Sequence, residues 1–154
     1  MILSLRFLYL LFYIALASQG LFYWLGPANA LEHISLESFI EQRKAVDLAI
    51  GNTLRVLYLL TVLGALTLLV LHLKESKSWL FAILCFSFLC VSIDLWLALT
   101  KSMPLNAFFN QHINGSMDLN GYAEARIQWL YYIRLRGVIL FMGLLSLLGS
   151  MRWR

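Results

Sequence analysis

The sequence predicts an all-α integral membrane protein, an antiparallel bundle of four transmembrane helices with a helical extension before helix 2. Three observations carry that expectation. Of the 154 residues, 61% are hydrophobic and only 13% are charged, whereas soluble domains are about 45–50% apolar and about 25% charged. Four apolar runs stand out, at Phe7–Leu25, Val56–Leu73, Trp79–Leu99 and Gly137–Met151. Some of the connections between them are short, which favours antiparallel neighbours. We therefore expect a single membrane domain over 1–154, with helices at about 5–25, 38–73, 79–100 and 125–151. Outer segments would cover 26–52 and 101–124.

The same composition excludes several function classes. The formal net charge of +4 is spread over loop ends rather than gathered in a run, and a nucleic-acid partner needs a dense basic patch. The lipid bilayer is the partner the composition names first. Cys85 and Cys90 lie five residues apart within one apolar run, on different helical faces. They make no Cys-x-x-Cys redox pair and read as small buried hydrophobes.

Helix 1 follows Arg6 and is apolar except for Ser18, Gln19 and Gly20. Ala15-Leu-Ala17 has the look of a signal-peptidase site, but the apolar stretch continues through Leu21–Leu25, so a transmembrane helix is expected. Gly26-Pro-Ala-Asn ends it. Ser38-Phe-Ile-Glu41 fits a capping box, and from there a helix can run through Arg43, Asp47 and Arg55 into Val56–Leu73. Its first three turns should project into water, with Arg43 and Asp47 paired on the surface at i, i+4.

Lys74–Ser78 is a polar turn before the third run, which Lys101-Ser-Met-Pro104 should stop. Leu105–Ala123 reads as a loop with a turn at Asn114-Gly-Ser116, which also fits the glycosylation acceptor pattern. The last apolar run has 15 residues, only ~22 Å of helix against a bilayer core of ~30 Å. The spanning helix must therefore begin before Arg136. On its wheel Trp129, Tyr132, Ile133 and Arg136 share a face, while Arg134 points away.

Depth places the costly side chains at one level. Gln19, Arg55, Asp94, Arg134 and Arg136 come from four helices and fall within ~10 Å of the same interface. A charge in hydrocarbon costs ~2.5–3.5 kcal/mol even on a mild scale, so Asp94 should meet a cation, with Arg55 and Arg136 as candidates. One reading is a buried bridge that ties helices together. The other counts three arginines against one aspartate and assigns the excess to an anionic or oxygen-rich ligand group, such as a carbonyl, phenolate or quinone oxygen. Aromatics crowd the same end, among them Tyr23, Trp24, Phe109, Tyr122, Trp129 and Tyr132, either as an interfacial belt or as a pocket lining. The other end should hold nothing comparable, His72 simply meeting the turn. Gly143, Ser146 and Ser150 read as a small-residue face for close helix packing.

His33 and His112 fall in the outer segments but have no metal-ligand spacing, so no cofactor is expected and haem or metal through them is disfavoured. Arg6, Lys74, Lys77, Arg152 and Arg154 mark the cytoplasmic side by the positive-inside rule. Both termini are expected there, in a bacterial-type inner or plasma membrane.

Pro104-Leu-Asn106, followed after a loop by Trp129 and seven residues later by Arg136, resembles the anthrone-oxygenase-like family of small four-helix membrane proteins. Gly20, Pro27 and the polar helix from Phe39 extend the likeness over most of the chain. The resemblance implies Asn106, Trp129 and Arg136 as site residues. It also implies a possible cofactor-independent oxygenase. Family members often carry a histidine four residues after the tryptophan, where this chain has Ile133, so an oxygenase here would take its base from Asp94 or His112.

Two functions follow as expectations. In the first, Arg136 and Arg55 polarise an oxygen of an aromatic or quinone-like ligand, Asp94 orients Arg136, and Trp129 and Tyr132 stack on the ring, with Gln19 and Asn106 nearby. In the second the chain is a non-catalytic accessory subunit, packing against membrane protein partners or further copies of itself. An enclosed pocket at the level of Asp94 would favour the first, a filled core the second.

Overall fold

The computed structural model describes residues 2–111 and 119–150. These residues are all-helical, with no strand among them. Six α-helices follow in order: α1 (Ile2–Trp24), α2 (Pro27–His33), α3 (Leu36–Leu71), α4 (Trp79–Leu97), α5 (Met103–Asn110) and α6 (Leu119–Ser150). A 3₁₀ turn at Leu73–Glu75 precedes α4, and a π turn at Ala98–Ser102 joins α4 to α5. Among the described residues four segments are long and apolar enough to cross a membrane: Ile2–Trp24, Leu36–Leu71, Trp79–Asn110 and Gly121–Ser150.

Local chemistry sets the boundaries. Gly26 takes φ +155° and ψ −39°, a backbone region open to glycine and strained for other residues. That lets the chain leave α1 and enter α2 at Pro27, whose missing N–H is no loss at a first helical position. The cap of α3 is Ser35 rather than Ser38: the Ser35 hydroxyl accepts from the Ser38 backbone N–H at 3.2 Å. The helix thus starts one turn earlier than the capping-box pattern indicates. Ser78 caps α4 in the same way, accepting from the Phe81 N–H at 3.1 Å.

Pro104 does not stop the third run. The chain passes through the π turn, in which the Met103 N–H reaches back to the Ala98 carbonyl, and continues as α5. Proline clashes with the carbonyl four residues earlier in a regular α-helix, and a π turn relieves this by widening the local ring. Part of the expected loop at 105–123 is therefore helix. The Asn114-Gly-Ser116 turn lies outside the described residues, as do Arg152 and Arg154.

Side-chain contacts fix the order of packing. Gly143 meets Tyr13 and Gly137 meets Gly20, so α1 lies along α6, while Gly64 of α3 lies against Tyr9. A Cβ on Gly20 would stand 2.3 Å from the Gly137 Cα, so α1 and α6 cross backbone to backbone. Such contact replaces the hydrophobic drive that lipid surroundings remove. One core, including Tyr9, Tyr13, Leu68, Val91 and Leu144, fills the middle of the helices.

A second core covers the end bearing α2 and α5, built from Tyr23, Leu31, Phe39, Phe109, Trp129 and Leu130. At 36 residues, α3 is ~54 Å long. One face of its excess over a ~30 Å bilayer core packs against Phe109 of α5 and Trp129 of α6. Phe39, Ile40 and Arg43 are accordingly buried. At the opposite end His72 does more than meet a turn: buried, its Nε2 accepts from the Arg6 guanidinium and its Nδ1–H donates to the Leu68 carbonyl.

Replacing Gly137 with Ala should lower the thermal unfolding temperature of the detergent-solubilised protein, since overpacking typically costs about 1–3 kcal/mol. Gly149→Ala meets open space and should leave it unchanged or slightly raised. Equal effects at the two positions would contradict the backbone crossing.

Candidate functional site

Two polar layers stack at the α2/α5 end. The lower one centres on Asp94 of α4, which is 0% exposed, and Arg136 of α6, at 8%. The Arg136 Nε donates to Asp94 Oδ1 at 2.8 Å, its Nη1 to the Ser102 hydroxyl at 3.0 Å and its Nη2 to the Tyr58 hydroxyl at 2.7 Å. Tyr58 in turn donates to Asp94 Oδ2. Both carboxylate oxygens are thus taken, and the ring of contacts ties α3, α4, the π turn and α6 together. A buried ion pair is tolerable only when its remaining hydrogen-bonding capacity is met, and Tyr58 and Ser102 meet it here.

The cation expected from helix 2 is absent from this layer. Arg55 is exposed, and its Nη1 makes a 3.5 Å contact with Asn52. Tyr58, three residues further along α3, takes the place instead. The two positions are one turn apart on α3, yet the Tyr58 hydroxyl reaches Asp94 and Arg136 while the Arg55 guanidinium turns to Asn52 on its own helix.

The upper layer is built from residues the charge reading placed on the surface. Arg43, 5% exposed, lies with its guanidinium carbon 4.1 Å from the centre of the Trp129 ring, a cation–π contact. Its Nη1 reaches the Tyr23 hydroxyl at 3.4 Å, while its buried Nε has no hydrogen-bond partner among the described residues. The surface pair of Arg43 with Asp47 does not form. Asp47 accepts from Asn106 at 3.0 Å and from Asn110 at 2.9 Å, one amide on each oxygen. The Trp129 indole N–H donates to the Asn106 oxygen at 3.0 Å, so α3, α5 and α6 are joined.

Edge-on aromatic contacts of Trp129 with Tyr23 and Phe39 hold that indole in place, at 5.4 and 5.8 Å between centroids. Phe39 also meets Phe109 edge-on at 5.3 Å. An aromatic cluster does exist at this end, but part of the expected set lies elsewhere. Trp24, Trp96 and Tyr131 are exposed, and Tyr132, half-buried, touches Tyr131.

Between the layers is a cavity of about 60 Å³. Gln19, Arg43, Asp47, Asn106, Trp129 and Arg136 line it, with Ile133 and Ser102. Of the residues singled out from sequence, Gln19, Asn106, Trp129 and Arg136 come together here. Asp94 reaches the cavity only through Arg136. Arg55 and Tyr132 stand outside, His33 bonds locally to the Asn29 carbonyl at 2.8 Å, and His112 lies outside the described residues. Arg43, Asp47 and Tyr58 are the additions. A polar residue recurring on the apolar face of α3 was the available signal for Tyr58, and the i, i+4 pair had suggested a solvated face for the other two.

The charge count changes accordingly. Arg43 and Arg136 face Asp47 and Asp94, two cations against two carboxylates, instead of three arginines against one. Arg136 uses three of its N–H groups in the contacts above, out of the five a guanidinium carries. The site therefore combines balanced charge with spare donors. It can hold a neutral acceptor oxygen without leaving a net charge buried.

Asp94→Ala leaves Arg136 buried without its partner and should destabilise the protein by about 3–5 kcal/mol, read as a lowered unfolding temperature. Tyr58→Phe should cost about 1–3 kcal/mol, whereas Arg55→Gln should stay within about 0.5 kcal/mol. An Arg55 effect as large as that of Tyr58 would contradict this assignment. Comparisons of the chain with models of known protein families, with curated proteins and with solved structures find no match.

Proposed function

We propose that this membrane protein is an antiparallel four-helix bundle that binds the carbonyl end of an aromatic or quinone-like molecule between Arg43 and Arg136. The observation that carries the reading is Arg43, a guanidinium buried against Trp129 and lining a cavity with its Nε unpaired. A buried donor without an acceptor costs about 1–3 kcal/mol. An acceptor oxygen from a ligand supplies the missing partner.

Charge and size narrow the group. Two carboxylates already balance the two arginines, which favours a neutral carbonyl over an anion. A cavity of about 60 Å³ holds a few atoms, since a benzene-sized cavity is about 150 Å³. The oxygen and its nearest atoms enter, and the ring rests at the mouth beside Gly51, where a Cβ would meet nothing within 4 Å. Resemblance to the anthrone-oxygenase-like family supports the same place, because Asn106, Trp129 and Arg136 all line this cavity.

In this reading Arg43 and Arg136 polarise the carbonyl by fixed donors, and Asp94 orients Arg136. Any proton acceptor that touches the ligand is Asp47, the carboxylate on the cavity wall. The clustered Arg6, Lys74 and Lys77 support a cytoplasmic placement of their end and of both termini, in a bacterial-type inner or plasma membrane. The site then opens near the opposite leaflet, under the cap of α2, α5 and the first turns of α3.

One observation favours the accessory-subunit reading: Leu48, beside Asp47 on α3, is 85% exposed, as a surface awaiting a partner would be. Native purification in mild detergent separates the two. Titration with a short-chain benzoquinone should give saturable quenching of tryptophan fluorescence, weakened about tenfold or more in Arg43→Gln. Non-saturable quenching, equal in both proteins, with a stoichiometric co-purifying polypeptide would replace the ligand reading by the subunit reading.

A further inference from the structure

A second surface lies on the far side of α6 from the cavity. Glu32, Arg126, Ile127, Leu130, Tyr131 and Arg134 line an open groove of about 400 Å³ between α2 and α6. Both arginines are anchored at one edge. Arg126 Nη1 donates to the Ile34 carbonyl at 3.0 Å, and Arg134 Nη2 meets Glu32 at 2.8 Å and Asn29 at 2.7 Å. Two guanidiniums against one carboxylate leave the groove with a charge of +1.

Below the groove the same face of α6 changes character. Ile127, Tyr131, Arg134, Val138, Phe141 and Leu145 follow one another at alternating spacings of four and three, so they form one row along the helix. Ile127, Tyr131, Val138, Phe141 and Leu145 are exposed. The row runs from a cationic groove at its top into an apolar stripe. Trp24, also exposed, donates its indole N–H to the Arg134 carbonyl at 3.1 Å. Exposed Trp and Tyr at that junction mark the headgroup level of a bilayer.

We propose that this groove binds the headgroup of an anionic phospholipid, whose acyl chain lies along the Val138, Phe141 and Leu145 stripe. The occupant has to supply two things at once. It needs an anionic oxygen group, for which the arginine fork suits a phosphate, and an apolar chain extending about a further 10–15 Å down the helix. Arg126 and Arg134 are ~12 Å apart along α6, enough to cover a headgroup layer of about 5–8 Å. An acidic segment of a partner protein would satisfy the charge but leave the stripe beneath it to bulk lipid.

Glu32 competes with the phosphate for Arg134, and this makes the test two-sided. The full-length protein, delipidated in detergent, is offered phosphatidylglycerol and phosphatidylcholine of matched chains in equal amounts, and the retained lipid is counted by native mass spectrometry. One basic residue near an anionic headgroup corresponds to about a fivefold preference. The wild type should retain one phosphatidylglycerol in preference to phosphatidylcholine by at least that factor. Arg126→Gln should remove about fivefold of the preference, Arg126→Lys should keep it, and Glu32→Gln should raise it. The Glu32→Gln arm decides the matter if Arg126→Gln fails to fold. Equal retention of the two lipids, a preference unmoved by Glu32→Gln, or a polypeptide held there with no lipid preference overturns the proposal.

Discussion

The pairing of Asp94 with Arg136 is the constraint on which the rest depends. Neither side chain is stable alone between apolar helices, because a buried ion without its partner keeps most of its desolvation cost. Once paired, they fix the rotation of α4 against α6. Tyr58 and Ser102 then fix α3 and the π turn to the same point. The next residue, Gly137, meets Gly20 of α1 backbone to backbone. The ion pair and this backbone contact are thus consecutive positions of one helix, and neither can shift without the other.

Above that layer the packing is not complete. Trp129, held edge-on by Tyr23 and Phe39, supports a guanidinium whose charge is balanced but whose donors are not all used. A purely structural bridge accounts for the lower layer, where every strong group has a partner. In the upper one the Arg43 Nε has no hydrogen-bond partner among the described residues. The core is filled at the level of Asp94 and opens one layer higher, between the two alternatives drawn from sequence.

Much of the fold was legible because it depends on quantities that local sequence carries. Apolar run lengths give the four long helices, and Gly26-Pro27 marks the break after α1. The requirement that Asp94 find a cation pointed to Arg136. What was not legible depends on direction and tertiary cover. Arg43 and Asp47 form a good surface pair by spacing alone, and only Tyr23 of α1, Trp129 of α6 and the two asparagines of α5 turn that face inward. Arg55 and Tyr58 are one turn apart on α3, yet the first bonds within its own helix and the second joins the bridge. Pro104 looked like a stop because a π turn has no strong sequence signal of its own. His72 looked idle because its partner, Arg6, is 66 residues away.

The π turn has a consequence for how this chain tolerates change in length. Its five residues, Ala98–Ser102, hold one more residue than a regular turn would; Ser102 is the last of them and Asn106 follows in α5. Removing a single residue there would restore α-helical register and rotate everything beyond by about 100°. Ser102 would leave Arg136, and Asn106 would leave both Asp47 and Trp129. The segment therefore behaves as a phase-setting joint. Substitution within it is a question of side chains, but insertion or deletion there re-indexes both polar layers at once.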